Sequence, residues 1–561
     1  MTPDWSTACL DWERRILARE PLIPFAPLFP AEAAAARAIF DSLRIADVAG
    51  CPTIGESCRE WVFQFCDAIF GAYDHETGRR LIQEFFLMIA KKNSKSTIAA
   101  GIMTTALCRN WREEGEFYVL APTKEVADNC FKPASSMVAK DEELSDLIHV
   151  QSHLRLLTHR QTGATLKVIA ADSETVSGKK TIGLLVDEVW LFGQRANAAD
   201  MLREVAGGLA SRPEGFIIYL TTQSDKPPAG VFRTKLKYAR DVRDGKIVDK
   251  TFLPVLYEFP PRMVEVGDHL KPENFHIPNP NLGASVDVVF LERKLRQAEI
   301  EGKEEVAGTL AKHLNVEVGL ALRSDSWAGA EFWPQQSLEV LTLDAILDRC
   351  EVVTVGIDGG GLDDLLGLCV IGRERGTGRW LSWHGAWAHK IALTRRKDIA
   401  PRLLDFEKDG DLWIVERPGD DVEAAADIVM RIEERGLLAE HGIGVDAAGI
   451  GAIVTELSGR GIDPEKRIVA IGQGYKLNGA IKDTERLLAG GTLWHGGRPL
   501  MAWCVGNARV ETKGNAILIT KQASGSAKID PLMATFNAVS LMSLNPEARG
   551  GFPDDYEPKV W

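Results

Sequence analysis

Short apolar runs alternate with polar segments of helical length between Trp61 and Leu220. Parallel strands are buried on both faces and need a long crossover between them, so this alternation indicates strands of a parallel sheet. The pattern therefore predicts an α/β domain with a central parallel sheet. The predicted strands are Phe85–Ile89, Phe117–Leu120, Thr165–Ile169, Gly183–Val186 and Phe216–Leu220.

From Glu351 the pattern changes, because three apolar runs follow one another with only short polar segments between them. A Gly376-Thr377-Gly378 turn between the second and third runs indicates an antiparallel meander. Two shorter strands then bracket a helix, an order that resembles the α/β core of RNase H-like nucleases. The predicted elements are strands Val352–Ile357, Leu366–Ile371, Trp380–Ala386, Leu412–Val415 and Gly442–Val445, and helix Val422–Arg435.

With 561 residues the chain is too long for one hydrophobic core, since single cores stop growing beyond roughly 250–300 residues. A helix is predicted at Ala31–Leu43, and a charged helix, Val288–Leu314, follows a Pro/Asn-rich loop, Ile277–Asn281. The predicted division is an N-terminal appendage at 1–50, the parallel-sheet domain at 51–225, a connecting subdomain at 226–345, the second α/β domain at 346–545 and a flexible tail at 546–561.

The formal net charge of −13 argues against a protein that coats nucleic acid indiscriminately, because such binding depends on neutralising phosphates. The stretch from Lys226 to Lys246 is locally basic, with seven basic residues against two acidic ones. It is interpreted either as a DNA-facing strip or as a solvated helix face.

Nine cysteines without a CxxC pair or a histidine cluster indicate neither a zinc module nor a disulfide framework, and they suit a reducing cytosol. The N-terminus lacks the basic-then-apolar order of a signal peptide. No uncharged apolar run reaches the roughly 18 residues of a membrane span, so none is expected.

The segment Met88–Thr97 lies between a predicted strand and a predicted helix, Ile98–Leu107, where a phosphate-binding loop belongs. Such a loop supplies main-chain N–H groups, a lysine for the β/γ-phosphates and a hydroxyl for Mg²⁺. Ile89 and Ser94 stand where the consensus has glycine, and a non-glycine residue held in a glycine conformation costs about 1–3 kcal/mol. A lysine-rich turn is therefore the alternative. The nucleotide-binding candidates are Asn93, Ser94, Lys95, Ser96 and Thr97.

A buried apolar strand is predicted to end in two adjacent carboxylates, Asp187 and Glu188. There the first would reach the Mg²⁺ held by Ser96, and the second would polarise the water that attacks the γ-phosphate. A helix that begins with acidic residues would explain the charges but not the apolar run before them. The loop and the acidic pair together indicate ATP hydrolysis.

Three isolated aspartates, Asp358, Asp446 and Asp530, end or follow apolar segments in the second half. Cutting a phosphodiester with two metals about 4 Å apart needs carboxylates that converge from separate elements, with Mg²⁺ or Mn²⁺ as the metal. Each aspartate alone also suits a turn former or a helix N-cap. Further candidates are Asp363 and Asp364, which a hairpin turn would equally explain, and His495, for which a packed or surface position is the alternative.

These motifs together resemble the large terminase subunit of tailed bacteriophages, from about Trp61 to Asp530. In that family a basic residue, here Lys91, stands four before the catalytic lysine. An upstream glutamine, here Gln64, reads the adenine, although a surface helix position would also explain it. The other segments that carry the resemblance are Ala121-Pro122-Thr123, the coupling motif Thr221-Thr222-Gln223, His495–Pro499, Trp503, Asn507 and Lys528-Ile529-Asp530.

One departure from the family concerns the trans-acting arginine that some relatives carry shortly before the acidic pair. The matching stretch, Val176–Lys180, holds no arginine. Lys179 or Lys180 would be substitutes, although lysine lacks the planar fork of arginine. The identity of this residue stays open.

The resemblance implies an N-terminal P-loop ATPase of the additional-strand type and a C-terminal RNase H-like nuclease. It implies ATP-driven translocation of viral double-stranded DNA into proheads and metal-dependent cutting of concatemeric DNA. Lys95 would hold the β/γ-phosphates, with Ser96 and Asp187 on Mg²⁺ and Glu188 on the attacking water. Asp358, Asp446 and Asp530 would hold the cutting metals.

The resemblance also implies partners and a location. The subunits would form a ring, expected to be a pentamer, on the portal protein, guided by a small terminase subunit. The protein would act in the host cytoplasm, dock transiently on the prohead and be absent from the mature virion.

Two other functions stay open at this point. A helicase-nuclease of repair or restriction would share both chemistries, although the chain lacks a second complete ATPase-like lobe. A non-hydrolysing DNA-binding adaptor with a decayed phosphate loop would explain Ile89 and Ser94. DNA-stimulated ATP turnover separates the adaptor from the other two.

Overall fold

The computed structural model describes residues 4–171, 181–195, 198–318, 327–338, 341–446, 450–513, 516–520 and 528–548. The chain divides into two compact units, Met1–Val318 and Gly319–Trp561. The single boundary at 318/319 differs from the predicted boundaries at 225/226 and 345/346. None of the helices in the described ranges is long and apolar enough to cross a membrane.

The first unit contains a large sheet, a short hairpin and the helices around them. Its strands are β1 (Tyr73–Asp74), β2 (Arg79–Arg80), β3 (Glu84–Met88), β4 (Glu116–Ala121), β5 (Ile148–Gln151), β6 (Leu156–His159), β7 (Thr165–Ala170), β8 (Thr181–Val186), β9 (Phe216–Thr221) and β10 (Phe252–Leu256). Its helices are α1 (Trp12–Ala18), α2 (Pro30–Ser42), α3 (Ile54–Ser57), α4 (Glu60–Phe70), α5 (Lys95–Cys108), α6 (Lys124–Ala139), α7 (Glu142–Leu147), α8 (Val189–Phe192), α9 (Ala198–Gly207), α10 (Gly230–Arg243), α11 (Pro261–Glu265), α12 (Val288–Glu301) and α13 (Lys303–Leu314).

The large sheet has the strand order β10-β3-β9-β8-β4-β7-β6-β5. The first six strands are parallel, which confirms the predicted parallel sheet, and β5 and β6 add an antiparallel hairpin at one edge. Phe85 and Leu87 pack into one hydrophobic core, whereas Phe86 and Met88 pack into another. Both faces of the sheet are therefore covered, as the unbroken apolar runs predict.

Two segments predicted to be separate belong to the first unit. Trp12 is buried in the main core of this unit, and Cys9 donates its N–H to Arg243 O at 2.8 Å, so the predicted appendage packs on the unit. Strand β10, from the predicted connecting subdomain, pairs with β3. The predicted single helix Val288–Leu314 is wrong, because Gly302, at φ +115°, breaks it into α12 and α13.

The second unit contains a sheet, a hairpin and ten helices in its described residues. Its strands are β11 (Cys350–Gly359), β12 (Leu365–Glu374), β13 (Trp380–His389), β14 (Trp413–Val415), β15 (Leu438–Asp446), β16 (Ile468–Ile471), β17 (Leu493–His495), β18 (Arg509–Lys513) and β19 (Ala516–Thr520). Its helices are α14 (Gly329–Phe332), α15 (Leu343–Arg349), α16 (Lys390–Arg395), α17 (Ala400–Lys408), α18 (Asp420–Glu434), α19 (Ile450–Gly459), α20 (Pro464–Arg467), α21 (Asn478–Ala489), α22 (Pro499–Asn507) and α23 (Asp530–Met542).

The sheet of the second unit has the order β14-β13-β12-β11-β15-β16, with β17 also beside β13. Strands β11, β12 and β13 form the predicted antiparallel meander, and β15 joins β11 in parallel. Gly376 and Gly378 in the turn have φ of +75° and +67°, a region that favours glycine. The meander, the bracketed helix α18 and the parallel β15 form the predicted RNase H-like core.

Helix α23 lies across the centre of this sheet because small residues let it approach. A side chain at Gly356 of β11 would overlap the carbonyl of Ala534 in α23. Thr354 Oγ1 donates to Ala538 O at 3.1 Å, and Asn537 Nδ2 donates to Ile357 O at 3.0 Å. These contacts place the first residue of α23, Asp530, next to the end of β11.

Candidate functional site

The loop between β3 and α5 has the backbone of a strained phosphate loop. Ser94 is left-handed, with φ +59°, as expected at a consensus glycine position. Lys92 is also left-handed, with φ +76°, whereas Ile89 does not adopt a positive φ. The glycine that the consensus places at position 89 is therefore not required here, and the strain falls on Lys92 and Ser94.

Three asparagines hold this loop against the Pro/Asn-rich segment. Asn93 Nδ2 donates to Ala90 O at 3.0 Å and to Asn279 Oδ1 at 2.8 Å, and Asn281 N donates to Asn93 Oδ1 at 3.0 Å. Trp61 Nε1 in turn donates to Asn281 Oδ1 at 2.8 Å. Both amide protons of Asn93 are committed to the protein, so any contribution of Asn93 to nucleotide binding comes from its main chain.

The predicted lysine and acidic pair meet in space. Lys95 is buried, with Nζ 4.0 Å from Glu188 Oε1 and donating to Ile89 O at 3.4 Å. Glu188 is left-handed, with φ +52°, and Trp190 Nε1 donates to Glu188 Oε2 at 2.7 Å. Backbone strain of this kind clusters at functional sites. The indole of Trp190 was not anticipated from the sequence, although it lies two residues from Glu188.

Asp187 is buried beside the hydroxyl of Ser96. Burial raises the pKa of the Asp187 carboxyl, Glu188 adds to the rise, and Lys95 and a hydrogen bond from Ser96 oppose it. A carboxylate next to a serine hydroxyl is an oxygen donor set that suits a hard cation such as Mg²⁺. The residues present therefore fit a nucleotide-bound Mg²⁺.

Gln64 lines a cavity of about 440 Å³ beside the asparagine cluster. Trp61, Tyr257 and Asn279 also line it, and Gln64 Nε2 donates to Glu60 Oε1 at 3.5 Å. The cavity is linked to the phosphate loop because Trp61 contacts Asn281, which contacts Asn93. A partly apolar cavity with an amide in its wall can accept a flat heterocycle.

The other ATPase motifs of the sequence lie on the same edge of the sheet. Thr123 caps α6 by accepting from Val126 N at 3.3 Å. Thr221 Oγ1 accepts from Trp190 N at 3.2 Å, and Gln223 N donates to Asn315 Oδ1 at 3.1 Å. The coupling motif thus contacts both the segment after the acidic pair and the end of α13.

The candidate finger residues Lys179 and Lys180 lie outside the described residues. In the basic stretch, these side chains have carboxylate partners within the same unit: Lys235, Lys237, Arg240, Arg243 and Lys246. Arg243 is buried against Glu258 and over the ring of Trp12. A DNA-facing strip and a solvated face were the two interpretations of this stretch. Neither accounts for the basic side chains of α10 that pair with carboxylates inside the unit.

The register of the strands brings the backbone positions of the three aspartates of the second unit to the same level. Asp358 lies near the end of β11, and Val445 pairs with Ile357, so Asp446 on β15 reaches the level of Asp358. Asp530 lies beside Gly359, since a Cβ there would be 3.3 Å from Asp530 Cβ. The backbone positions of all three aspartates therefore lie along one edge of the sheet.

Their side chains do not form a finished metal site. In the part of the chain that the structure describes, no group of three or more His, Cys, Asp or Glu side chains lies close enough together to hold a metal ion. Like charges repel, and a divalent cation removes that repulsion. The donor types fit Mg²⁺ or Mn²⁺, and the geometry supports a shared location rather than a complete coordination sphere.

The secondary nuclease candidates have ion-pair partners. Lys528 is buried, and its Nζ donates to Asp364 Oδ1 at 2.6 Å and to Asp363 O at 2.8 Å. Asp363 also pairs with Arg396 at 3.1 Å. Asn507 Nδ2 donates to Lys528 O at 3.0 Å, which fixes the Lys528 main chain. These contacts favour a role for Asp363 and Asp364 in holding the loop after β11.

His495 is a packed histidine. The sequence analysis gave a packed or surface position as the alternative to a place in the nuclease site. Its ring stacks on Trp333 with centroids 3.9 Å apart, and its Nε2 lies 2.7 Å from Trp333 O. Burial lowers the pKa of His495 to about 4. Trp503 likewise packs against another ring, that of Phe406.

Two domain families match this chain. The family described as "Terminase large subunit, ATPase domain" matches residues 60–241, and "Terminase large subunit, endonuclease domain" matches residues 246–545. The chain belongs to the terminase large subunit family. No curated protein matches it.

Several solved terminases are similar to this terminase large subunit. The HK97 bacteriophage large terminase is 19% identical, with a TM-score of 0.46 over 91% of this chain and 99% of that one. A large terminase from another, thermophilic bacteriophage is 13% identical, with a TM-score of 0.31 over 84% of this chain and 95% of that one. The large terminase nuclease of thermophilic phage G20c with bound magnesium is 14% identical, with a TM-score of 0.26 over 39% and 97%.

Family membership confirms the predicted function and fold. The protein is a DNA-packaging enzyme with a P-loop ATPase and an RNase H-like endonuclease. It hydrolyses a nucleotide and acts on DNA. Membership decides against the helicase-nuclease and the non-hydrolysing adaptor.

Proposed function

We propose that Lys95 binds the β/γ-phosphates of ATP, Ser96 and Asp187 hold Mg²⁺, and Glu188 orients the attacking water. The observation that carries this assignment is the approach of Lys95 Nζ to Glu188 Oε1, 4.0 Å, beside the buried Asp187. Mg²⁺ neutralises the charge that develops on the phosphates. Lys91, Asn93, Ser94 and Thr97 complete the phosphate cradle, with Asn93 acting through its main chain.

Gln64 and its cavity are proposed to accept the adenine. The cavity adjoins the phosphate loop through Trp61 and Asn281, so a base bound there and phosphates bound at Lys95 would belong to one molecule. The amide of Gln64 offers both a donor and an acceptor, which is what an adenine edge requires.

In the second unit, Asp358, Asp446 and Asp530 are proposed to hold Mg²⁺ or Mn²⁺ for DNA cutting. The metals supply the charge that stabilises the attacking and leaving oxygens of the phosphodiester. Two of the three carboxylates lie on the parallel strands β11 and β15, and the third lies at the N-terminus of α23.

The wider assembly is proposed on family grounds. The terminase would act as a ring, expected to be a pentamer, on the portal protein, with a small terminase subunit delivering double-stranded DNA. It would work in the host cytoplasm, dock transiently on the prohead and be absent from the mature virion.

Two matched variants of the full chain test the assignment of residues. Glu188→Gln is expected to lower DNA-stimulated ATP turnover by about 10²–10⁴-fold, because it removes the water-orienting carboxylate, and to leave plasmid cleavage intact. Asp530→Asn is expected to lower plasmid cleavage by a similar factor and to leave DNA-stimulated ATP turnover intact. If either variant lost both activities equally, with the fold intact by circular dichroism, the assigned roles would be wrong.

A further inference from the structure

The C-terminal end of α13 contacts two motifs of the nucleotide site. Lys91 in the phosphate loop donates its N–H to Lys312 O at 2.7 Å. Gln223 in the coupling motif donates its N–H to Asn315 Oδ1 at 3.1 Å, and Asn315 Nδ2 donates to Tyr257 O at 2.9 Å. The main chain around Lys312 is therefore fixed to both motifs.

Lys312 brings a cation into this junction. Its side chain is only 17% exposed, and its Nζ lies over the indole ring of Trp190 and 3.6 Å from Asp225 Oδ2, which is longer than a hydrogen bond. Burial lowers the pKa of Lys312 to about 8, and Asp225 and Glu188 oppose that shift. A buried ammonium costs free energy unless neighbouring groups compensate it. Its place over the ring therefore suggests a role in the site.

Trp190 connects Lys312 to the acidic pair. Its Nε1 donates to Glu188 Oε2 at 2.7 Å, and its main-chain N donates to Thr221 Oγ1 at 3.2 Å. A cation over an indole face attracts the ring and fixes its plane. The plane of the ring determines the direction of the N–H that holds Glu188. Lys312 can thus orient the carboxylate without touching it.

We propose that Lys312 is a positioning residue for ATP hydrolysis, which orients Glu188 through the indole of Trp190. This inference rests on the proposed role of Glu188. The phosphates are held by the loop, so loss of Lys312 affects turnover rather than ATP binding.

The test measures kcat and KM for DNA-stimulated ATP turnover in the full chain. Lys312→Met and Trp190→Phe are each expected to lower kcat about tenfold with KM within about twofold, because a misplaced base slows only the chemical step. Lys312→Arg, which keeps a cation over the ring, is expected to restore most of kcat. In the double variant the losses are not expected to multiply, because both act through one contact.

Lys271→Met is the matched control, since Lys271 lies at the surface in an ion pair with Asp268 and is expected to change nothing. An unchanged kcat in Lys312→Met, a rise in KM alone, a failure of Lys312→Arg to restore kcat, or multiplied losses in the double variant would overturn the inference. Plasmid cleavage and the melting temperature report on folding. If Lys312→Met does not fold, Lys312→Gln and Trp190→Phe are tested instead, and an unchanged kcat in them would overturn the inference.

Glu188→Gln separates this inference from the proposed function. If Glu188→Gln hydrolyses ATP normally, the proposed role of Glu188 fails and the inference fails with it. If Glu188→Gln is inactive while Lys312→Met has normal kcat, only the inference fails.

Discussion

The two sites of this terminase differ in how much of each the protein arranges by itself. In the nucleotide site Lys95 has a carboxylate 4.0 Å away, and the loop is held by side-chain amides. In the nuclease site, within the described residues, three carboxylates share one edge of the sheet without converging. A lysine and a carboxylate attract each other and can be preformed, whereas carboxylates that approach one another repel unless a cation lies between them.

The surroundings of the nuclease site are nevertheless firmly held. Lys528 ties the loop after β11 to the segment before α23, and Asn537 ties α23 to β11. The scaffold thus fixes the backbone positions of the aspartates, and we expect the proposed metal to bring their side chains together. Variants in the two sites should therefore respond differently to added metal.

The largest expected effect is at Asp530. Asp530→Ala and Asp358→Ala are each expected to lower Mn²⁺-dependent plasmid degradation by at least about 100-fold, because metal ligands are lost, while ATP turnover stays within about twofold. Mn²⁺ at about 100 times its Kd is expected to stabilise the wild type by about 2.7 kcal/mol in thermal unfolding, and Asp530→Ala much less. Equal stabilisation of both proteins by Mn²⁺ would contradict the contrast between the sites.

Lys528→Met tests whether the support of the nuclease site is functional. Loss of the ammonium frees the loop that contains Asp364, so plasmid degradation is expected to fall about tenfold with normal ATP turnover. Lys390→Met, which removes an exposed ion pair with Glu416, is the control and should leave cleavage unchanged. Normal cleavage in folded Lys528→Met would show that the ion pair is dispensable.

Asn281→Ala tests the preformed character of the nucleotide site. The change removes the acceptor of Trp61 and one contact to the Asn93 main chain, so it is expected to destabilise the chain by about 1–3 kcal/mol and to raise KM for ATP several-fold. Asn274→Ala, which removes a hydrogen bond to Asp268 O and none to the phosphate loop, serves as the comparison. Thermal unfolding measures the stability of both variants, and steady-state kinetics measure their KM for ATP. An unaltered KM in Asn281→Ala would mean that the asparagine side chains do not shape the phosphate loop.

The smallest expected effect is at Ser94. A left-handed non-glycine residue costs about 1–2 kcal/mol, and glycine loses about 0.5–1 kcal/mol more backbone entropy, so Ser94→Gly is expected to stabilise the chain by about 0.5 kcal/mol. Denaturant unfolding measures this difference. A clear destabilisation would mean that the Ser94 side chain contributes more than its backbone strain costs.

Local patterns in the sequence were enough to predict the central strands of both sheets and to select the candidate site residues. Strands β3, β4, β7, β8 and β9 follow from apolar runs, and the meander follows from three such runs with a glycine turn. The candidate site residues were selected because each follows or ends a strand or begins a helix: Lys95 and Ser96, the acidic pair, and the three aspartates. Parallel strands carry such residues to one edge of a sheet, so local position alone predicts that their backbone positions share that edge.

Other features were decided only by the tertiary structure. The sequence did not reveal that β10 completes the first sheet, that Asn281 holds Asn93 from 188 residues away, or that Lys528 holds Asp364 from 164 residues away. The same is true of Lys312 over Trp190. Periodicity reports which face of an element is apolar, but a polar contact between distant segments depends on how those elements pack, and no local pattern encodes it.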